Sequence, residues 1–152
     1  MTATQQPDPF GAEPAPTTGP SGQRAGFWLR FAAALLDGIL LSIVTIPLQI
    51  ALSVSAYYFF ATVIGIAYYT LLEGGPKGQT VGKMACGIRV YDLANGGPIG
   101  YGRGFIRYIG RIVSAIPFLL GYFWMIWDKE KQTFHDKFAG SVVVPTSSYP
   151  VD

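Results

Sequence analysis

Between Asp37 and Glu73 the chain carries no Asp, Glu, Lys or Arg, a run of 35 residues. The run joins an apolar flank that starts at Phe27, and a single helix from there to Leu72 would be about 69 Å long. A bilayer hydrocarbon core is about 30 Å thick and takes roughly 20 apolar residues per crossing. The stretch therefore has to fold back on itself. Pro47, Gln49, Ser53 and Ser55 interrupt its apolar character, which places the reversal within 48–55 and predicts helices of about 27–47 and 53–72. Tyr57 and Tyr58 at the turn, with Trp28, Tyr68 and Tyr69 at the opposite ends, have the placing of interfacial aromatic belts.

Composition agrees with a membrane chain: half of the residues are apolar and 13% are charged, against about 25% in soluble domains. This excludes an ordinary water-soluble enzyme, a disulfide scaffold and a nucleic-acid-binding domain; a net charge of +2 is too small to imply a polyanionic partner. Cys86 is the only cysteine, and its expected role is that of a small buried hydrophobe.

Residues 1–23 hold prolines at 7, 9, 14, 16 and 20 among Thr, Ala, Gly and Gln, a composition that predicts a disordered tail. The tail has neither the basic stretch nor the apolar core of a signal peptide, so the first hydrophobic segment reads as a retained anchor. A short disordered end is expected again at 146–152. The intervening 24–145 reads as one all-α membrane domain, with a polar, glycine-rich loop at 73–104. Within that loop 87–93 reads as a strand, and Asn95-Gly96 is a tight-turn signal.

The turn between the first two helices carries no Lys or Arg, whereas Arg24 and Arg30 precede them and Lys77, Lys83, Arg89 and Arg103 follow. The positive-inside rule then puts the N-terminus and the loop in the cytoplasm. The third apolar segment, 105–127, admits two readings. It crosses once, with Arg107 and Arg111 snorkelling; or 105–116 lies at the inner interface and 117–127 dips in and returns beyond Pro117. The second keeps Lys129, Lys131 and Lys137 in the cytoplasm and lets 88–91 pair with 141–144.

Asp37 is the most informative single residue. It lies about 15 Å into the first helix, where a carboxylate costs about 2.5–3.5 kcal/mol and calls for a partner or a water path. Arg30 is two turns away and leans away from it, so the expected partner is on the third segment, Arg111 first. Such a pair serves either helix packing or a ligand or ion pathway. The stretch around Gly78, Gly82 and Lys83 lacks the spacing of a phosphate-binding loop, and His135 beside Asp136 has no second His or Cys at a metal-ligand spacing. No nucleophilic triad stands out, so neither enzyme activity nor a cofactor nor a metal is expected.

Several landmarks occur together: Arg30 and Asp37 on the first helix, GQTVGKMACGIRVYD from Gly78 to Asp92, Arg107 before the third segment, and WDKEKQTFHDKFAGSVVV from Trp127 to Val144. In this order they resemble the RDD family of bacterial membrane proteins over about residues 24–145. The family is named for one arginine and two aspartates; the resemblance maps these to Arg30, Asp37 and a later aspartate, Asp136 by preference or Asp128. It implies a multi-pass protein of the bacterial cytoplasmic membrane, with transport of an ion or small ligand as the suggested role. The expected pathway residues are Arg30, Asp37, Arg111 and Asp136, supported by Gly78, Gly82, Lys83, Arg107, Asp128 and His135. Two or three helices enclose no wide path, so the expected partners, besides the lipid bilayer and an unknown ion or small ligand, are further copies or a larger membrane protein. The alternative is a non-transporting accessory protein that binds and stabilises another membrane protein.

Overall fold

The computed structural model describes residues 24–115, 120–147 and 149. Both expected tails, and Pro117 with its neighbours 116–119, lie outside these residues, apart from 146, 147 and 149.

The uncharged run folds as a helical hairpin. Helix α1 spans Phe27–Ala51 and helix α2 Val54–Gly74, about 37 and 31 Å long at 1.5 Å per residue. Both are long and apolar enough to cross a membrane. The first helix runs four residues past its expected end, because Pro47 is accommodated inside it. Proline removes only its own N–H from the ladder, and Leu52 N still donates to Leu48 O at 2.9 Å. Large apolar side chains along the hairpin face outward, among them Ile43, Val44, Ile50, Phe59 and Val63.

The expected loop is more ordered than its glycines suggest. A one-turn helix, α3, spans Val81–Ala85 under an N-cap from Thr80, and strand β1 covers Ile88–Asp92. The third apolar segment is described on both sides of 116–119. Helix α4 begins earlier, at Tyr101, and ends at Ala115; a short α5, Leu120–Phe123, runs into a 3₁₀ turn, Trp124–Ile126. Helix α6, Phe134–Ala139, and strand β2, Ser141–Pro145, complete the described order.

Helix α4 is amphipathic in the reverse of the soluble sense. Its buried positions are Gly104, Arg107, Gly110 and Ser114, whereas Phe105, Ile106, Ile109, Ile112 and Val113 are exposed. It packs its polar side on α2 and α6.

Strands β1 and β2 pair antiparallel, with Arg89 opposite Val144 and Tyr91 opposite Val142. The pairing of 88–91 with 141–144 is thus present, and the chain from 93 to 140 starts and finishes at one end of the hairpin. The apolar core is small and sits against this sheet: Ala25, Ala33, Ile88, Val90, Ile99 and Val143 are buried together, with Cys86 partly buried beside them.

The register is open to a direct check. In a Cys86→Ser background, Tyr91→Cys with Val142→Cys should oxidise to an intramolecular disulfide, since directly opposed residues lie within bridging distance. Tyr91→Cys with Val144→Cys, two residues out of register, should remain reduced under the same oxidant, as read by gel mobility.

Candidate functional site

At the base of the hairpin two fully buried carboxylates, Glu73 and Asp136, share four cationic side chains. Arg107 bridges them. Its Nε donates to Glu73 Oε2 at 2.9 Å, its Nη1 donates to Asp136 Oδ1, and the same Nη1 donates to Ser141 Oγ at 2.5 Å. Glu73 Oε1 accepts from Lys83 Nζ at 2.7 Å and from Arg111 Nη2. Asp136 Oδ2 accepts from Arg30 Nη2 at 2.5 Å.

Local structure places each group. Asp136 is the third residue of α6 and closes a capping box with Thr133: its carboxylate accepts from the Thr133 N–H at 3.0 Å and hydroxyl at 2.9 Å. Arg107 and Arg111 are one turn apart on the buried side of α4, and the Arg111 guanidinium also lies 4.0 Å from the centre of the Tyr69 ring. Arg30 reaches from the second turn of α1, with Lys131 O as a further acceptor at 2.9 Å.

Asp37 occupies a separate, equally buried site. It accepts from Tyr68 Oη at 2.7 Å, Thr80 Oγ1 at 2.6 Å and Gly82 N at 2.7 Å. The expected pair of Asp37 with Arg111 is not formed; Arg111 goes to Glu73 instead. The polar loop climbs alongside α1 and delivers its own donors to Asp37, which leaves no call for a cation. Gly82 permits this approach, since a Cβ there would lie 2.1 Å from Ala33 O and 2.8 Å from Asp37 Oδ1. Gly78, at φ +62°, makes the preceding turn, where its carbonyl accepts from Val90 N at 2.7 Å. Tyr68 and Tyr69, expected in an aromatic belt, turn inward to Asp37 and Arg111.

Of the expected site residues, Arg30, Arg107, Arg111, Lys83 and Asp136 therefore meet in one network. Asp37, Gly78 and Gly82 form the loop lock beside it. Asp128 stands apart: it pairs with Lys137 at 2.5 Å and accepts from Glu130 N and Gln132 N, both at 3.1 Å, so Asp136 and not Asp128 joins Arg30. Glu73 is the residue missed. Its available signal was its position at the end of the uncharged run, a mirror image of Asp37 at the start.

Burial alone would raise the Asp136 carboxyl, but Arg30 and Arg107 hold it well below the usual carboxylate range. Burial pulls the Lys83 ammonium down, with Glu73 opposing. Burial also holds the His135 imidazole well below its ordinary range, despite Asp136 beside it; its ring lies against Thr133 Oγ1 at 2.9 Å and faces Tyr122. Among the described residues no three His, Cys, Asp or Glu side chains are grouped to hold a metal ion.

The network forms the floor of a cavity of about 230 Å³. Arg30, Lys83, Arg107, Arg111, Thr133 and His135 contribute from below, and Phe27, Phe31, Tyr122, Phe123 and Met125 form the walls. Asp37 does not line it. Such a chamber can hold a small ligand beside several cationic side chains.

Comparison with known proteins finds one matching family and several relatives. The family described as the RDD family matches residues 24–140, which takes in both carboxylates and all four cations. An "Uncharacterized protein YxaI" of Bacillus subtilis is 31% identical over 142 residues, covering 74% of this chain and 91% of that protein. An "Uncharacterized membrane protein YteJ" of the same organism is 29% identical over 139 residues, 82% of this chain and 83% of its own. A "Proline-rich antigen" of Mycobacterium leprae is 31% identical over 91 residues, 58% of this chain, and the match spans only 36% of that protein. No solved structure matches the chain.

Two outcomes follow from the network. Arg107→Ala, which leaves Glu73 and Asp136 buried without their shared cation, should destabilise the purified protein by about 3–5 kcal/mol, read from denaturant unfolding in detergent. His135 is neutral when folded and takes a proton more readily when unfolded. Stability should therefore fall as pH drops below about 6.5, with a slope approaching 1.4 kcal/mol per pH unit. Asp136 stays ionised over that window, so His135→Asn should flatten the slope between pH 6.5 and 4.5.

Proposed function

The chain belongs to the RDD family of membrane proteins, and from that premise we propose that it takes part in moving a small ion or ligand through a polar site at the inner end of its hairpin. The hairpin crosses the bacterial cytoplasmic membrane, and the sheet and termini of the domain lie on the cytoplasmic side. The charges support this orientation: Arg24, Arg30, Lys77, Lys83, Arg89 and Arg103 gather at the base, and none occurs at the hairpin turn. Helix α4 supports an interfacial position, because a helix that buries its arginines and exposes Phe105, Ile109 and Ile112 suits lipid on its outer side.

The observation that carries the reading is the convergence of Arg30, Lys83, Arg107 and Arg111 on one cavity over two buried carboxylates. Buried ionisable groups in membrane proteins concentrate at ligand and ion sites. Asp37 acts here by position: it holds the loop that carries Lys83 into the network. Two helices enclose no wide passage, so the working form is a homo-oligomer or a complex with a larger membrane protein.

An accessory role without transport has one observation in its favour, the outward-facing apolar surface along both hairpin helices, which suits a protein partner as well as lipid. Flux measurements separate the two. In proteoliposomes the wild-type protein should carry an ion or small solute down a gradient, and Arg111→Gln, at the edge of the network, should lower that flux tenfold or more while the protein stays folded by circular dichroism. Absence of flux across every gradient, with one dominant heterologous protein recovered by crosslinking in cells, would establish the accessory role instead.

A further inference from the structure

The cavity changes character from rim to floor. Phe31 and Phe123 at its edge are 51% and 40% exposed, whereas Arg107 at its base is fully buried. The rim is thus continuous with the apolar outer surface of the protein, and the floor is cationic.

The floor is also incomplete. Arg107 Nε and Nη1 are committed to Glu73, Asp136 and Ser141, but Nη2 is buried and, among the described residues, meets no hydrogen-bond acceptor. The ion-paired network sets four cationic side chains against two carboxylates, which leaves two positive charges in excess. A buried donor without an acceptor is costly, and uncompensated buried charge more so. An anion with several oxygens and close to two negative charges, set beside the arginine and lysine side chains that line the cavity, offsets the excess. A carboxylate has one charge and two oxygens. A phosphate monoester carries roughly −1.5 to −2 near neutral pH on three acceptor oxygens, and guanidinium groups suit it geometrically.

Resting on the membrane reading above, we infer that this cavity is a binding site for a phosphate-monoester lipid, with the phosphate on the arginine and lysine floor and the first methylenes along the stacked rings of Phe31, Phe27 and Phe123. The cavity admits a phosphate and a short length of chain. The acyl remainder stays outside, along the exposed apolar surface of α1.

The test uses the full chain in nanodiscs of phosphatidylcholine, with or without a few per cent phosphatidic acid, and with or without inorganic phosphate. Retained lipid is read by native mass spectrometry and thermal stability by tryptophan fluorescence. Wild-type protein should retain phosphatidic acid at least tenfold over phosphatidylcholine, equivalent to about 1.4 kcal/mol, and melt at a higher temperature with it. Arg111→Gln should lose most of that selectivity. Phe31→Ser with Phe123→Ser leaves every cation in place, and should lose the preference for the lipid while keeping any response to inorganic phosphate. Equal retention of the two lipids by wild-type protein overturns the inference. So does a full stability gain from inorganic phosphate alone, which would make free phosphate the ligand. Failure to enter nanodiscs would sink the membrane reading itself, whereas insertion without lipid selectivity sinks only the lipid site.

Discussion

Arg107 holds two carboxylates that come from separate elements, Glu73 at the close of α2 and Asp136 near the start of α6. Through Glu73 it is tied to Lys83 on α3, through Asp136 to Arg30 on α1, and directly to Ser141 at the head of β2. In a soluble domain of this size a contiguous apolar core would do that joining. Here the buried apolar cluster is confined to a few residues beside the sheet, and most large hydrophobic side chains face outward. Charge pairing has taken over the task of specifying how the elements meet. It is a demanding substitute, since each buried ion is tolerable only while its partners stay in place.

Asp37 and its three donors form a second, neutral-donor lock one step along α1. The two locks share the loop 76–87: Gly82 donates to one and Lys83 to the other. This explains why a glycine-rich segment is ordered. Its glycines let the backbone come close to α1, and once there its polar groups satisfy a carboxylate that would otherwise be stranded.

Much of this was legible in the residues. The hairpin follows from the length of the uncharged run, and the strand pair from two short β-branched stretches that the charge pattern places on the same side. The meeting of Arg30 with Asp136 accords with the family resemblance. Partner choice was not legible for Asp37, because nothing in helix periodicity tells that a loop 43 to 45 residues later will rise beside it. Glu73 was hidden for a related reason: a charge at the end of an apolar run looks like a boundary marker, and only the packed arrangement distinguishes a boundary from a keystone. The inward turn of the α4 arginines was likewise hidden, because it is set by the carboxylates waiting on α2 and α6.

The strand pairing has a consequence for how the protein is made. Glu73, Lys83, Arg107 and Arg111 leave the ribosome before Asp136, and β2 comes after all of them. Until α6 and β2 arrive, α4 carries cations with only half of their counter-charges, so the nascent chain cannot settle its third helix. A chain truncated before Asp136 would lack one of the two buried carboxylates and present arginines where the full arrangement hides them.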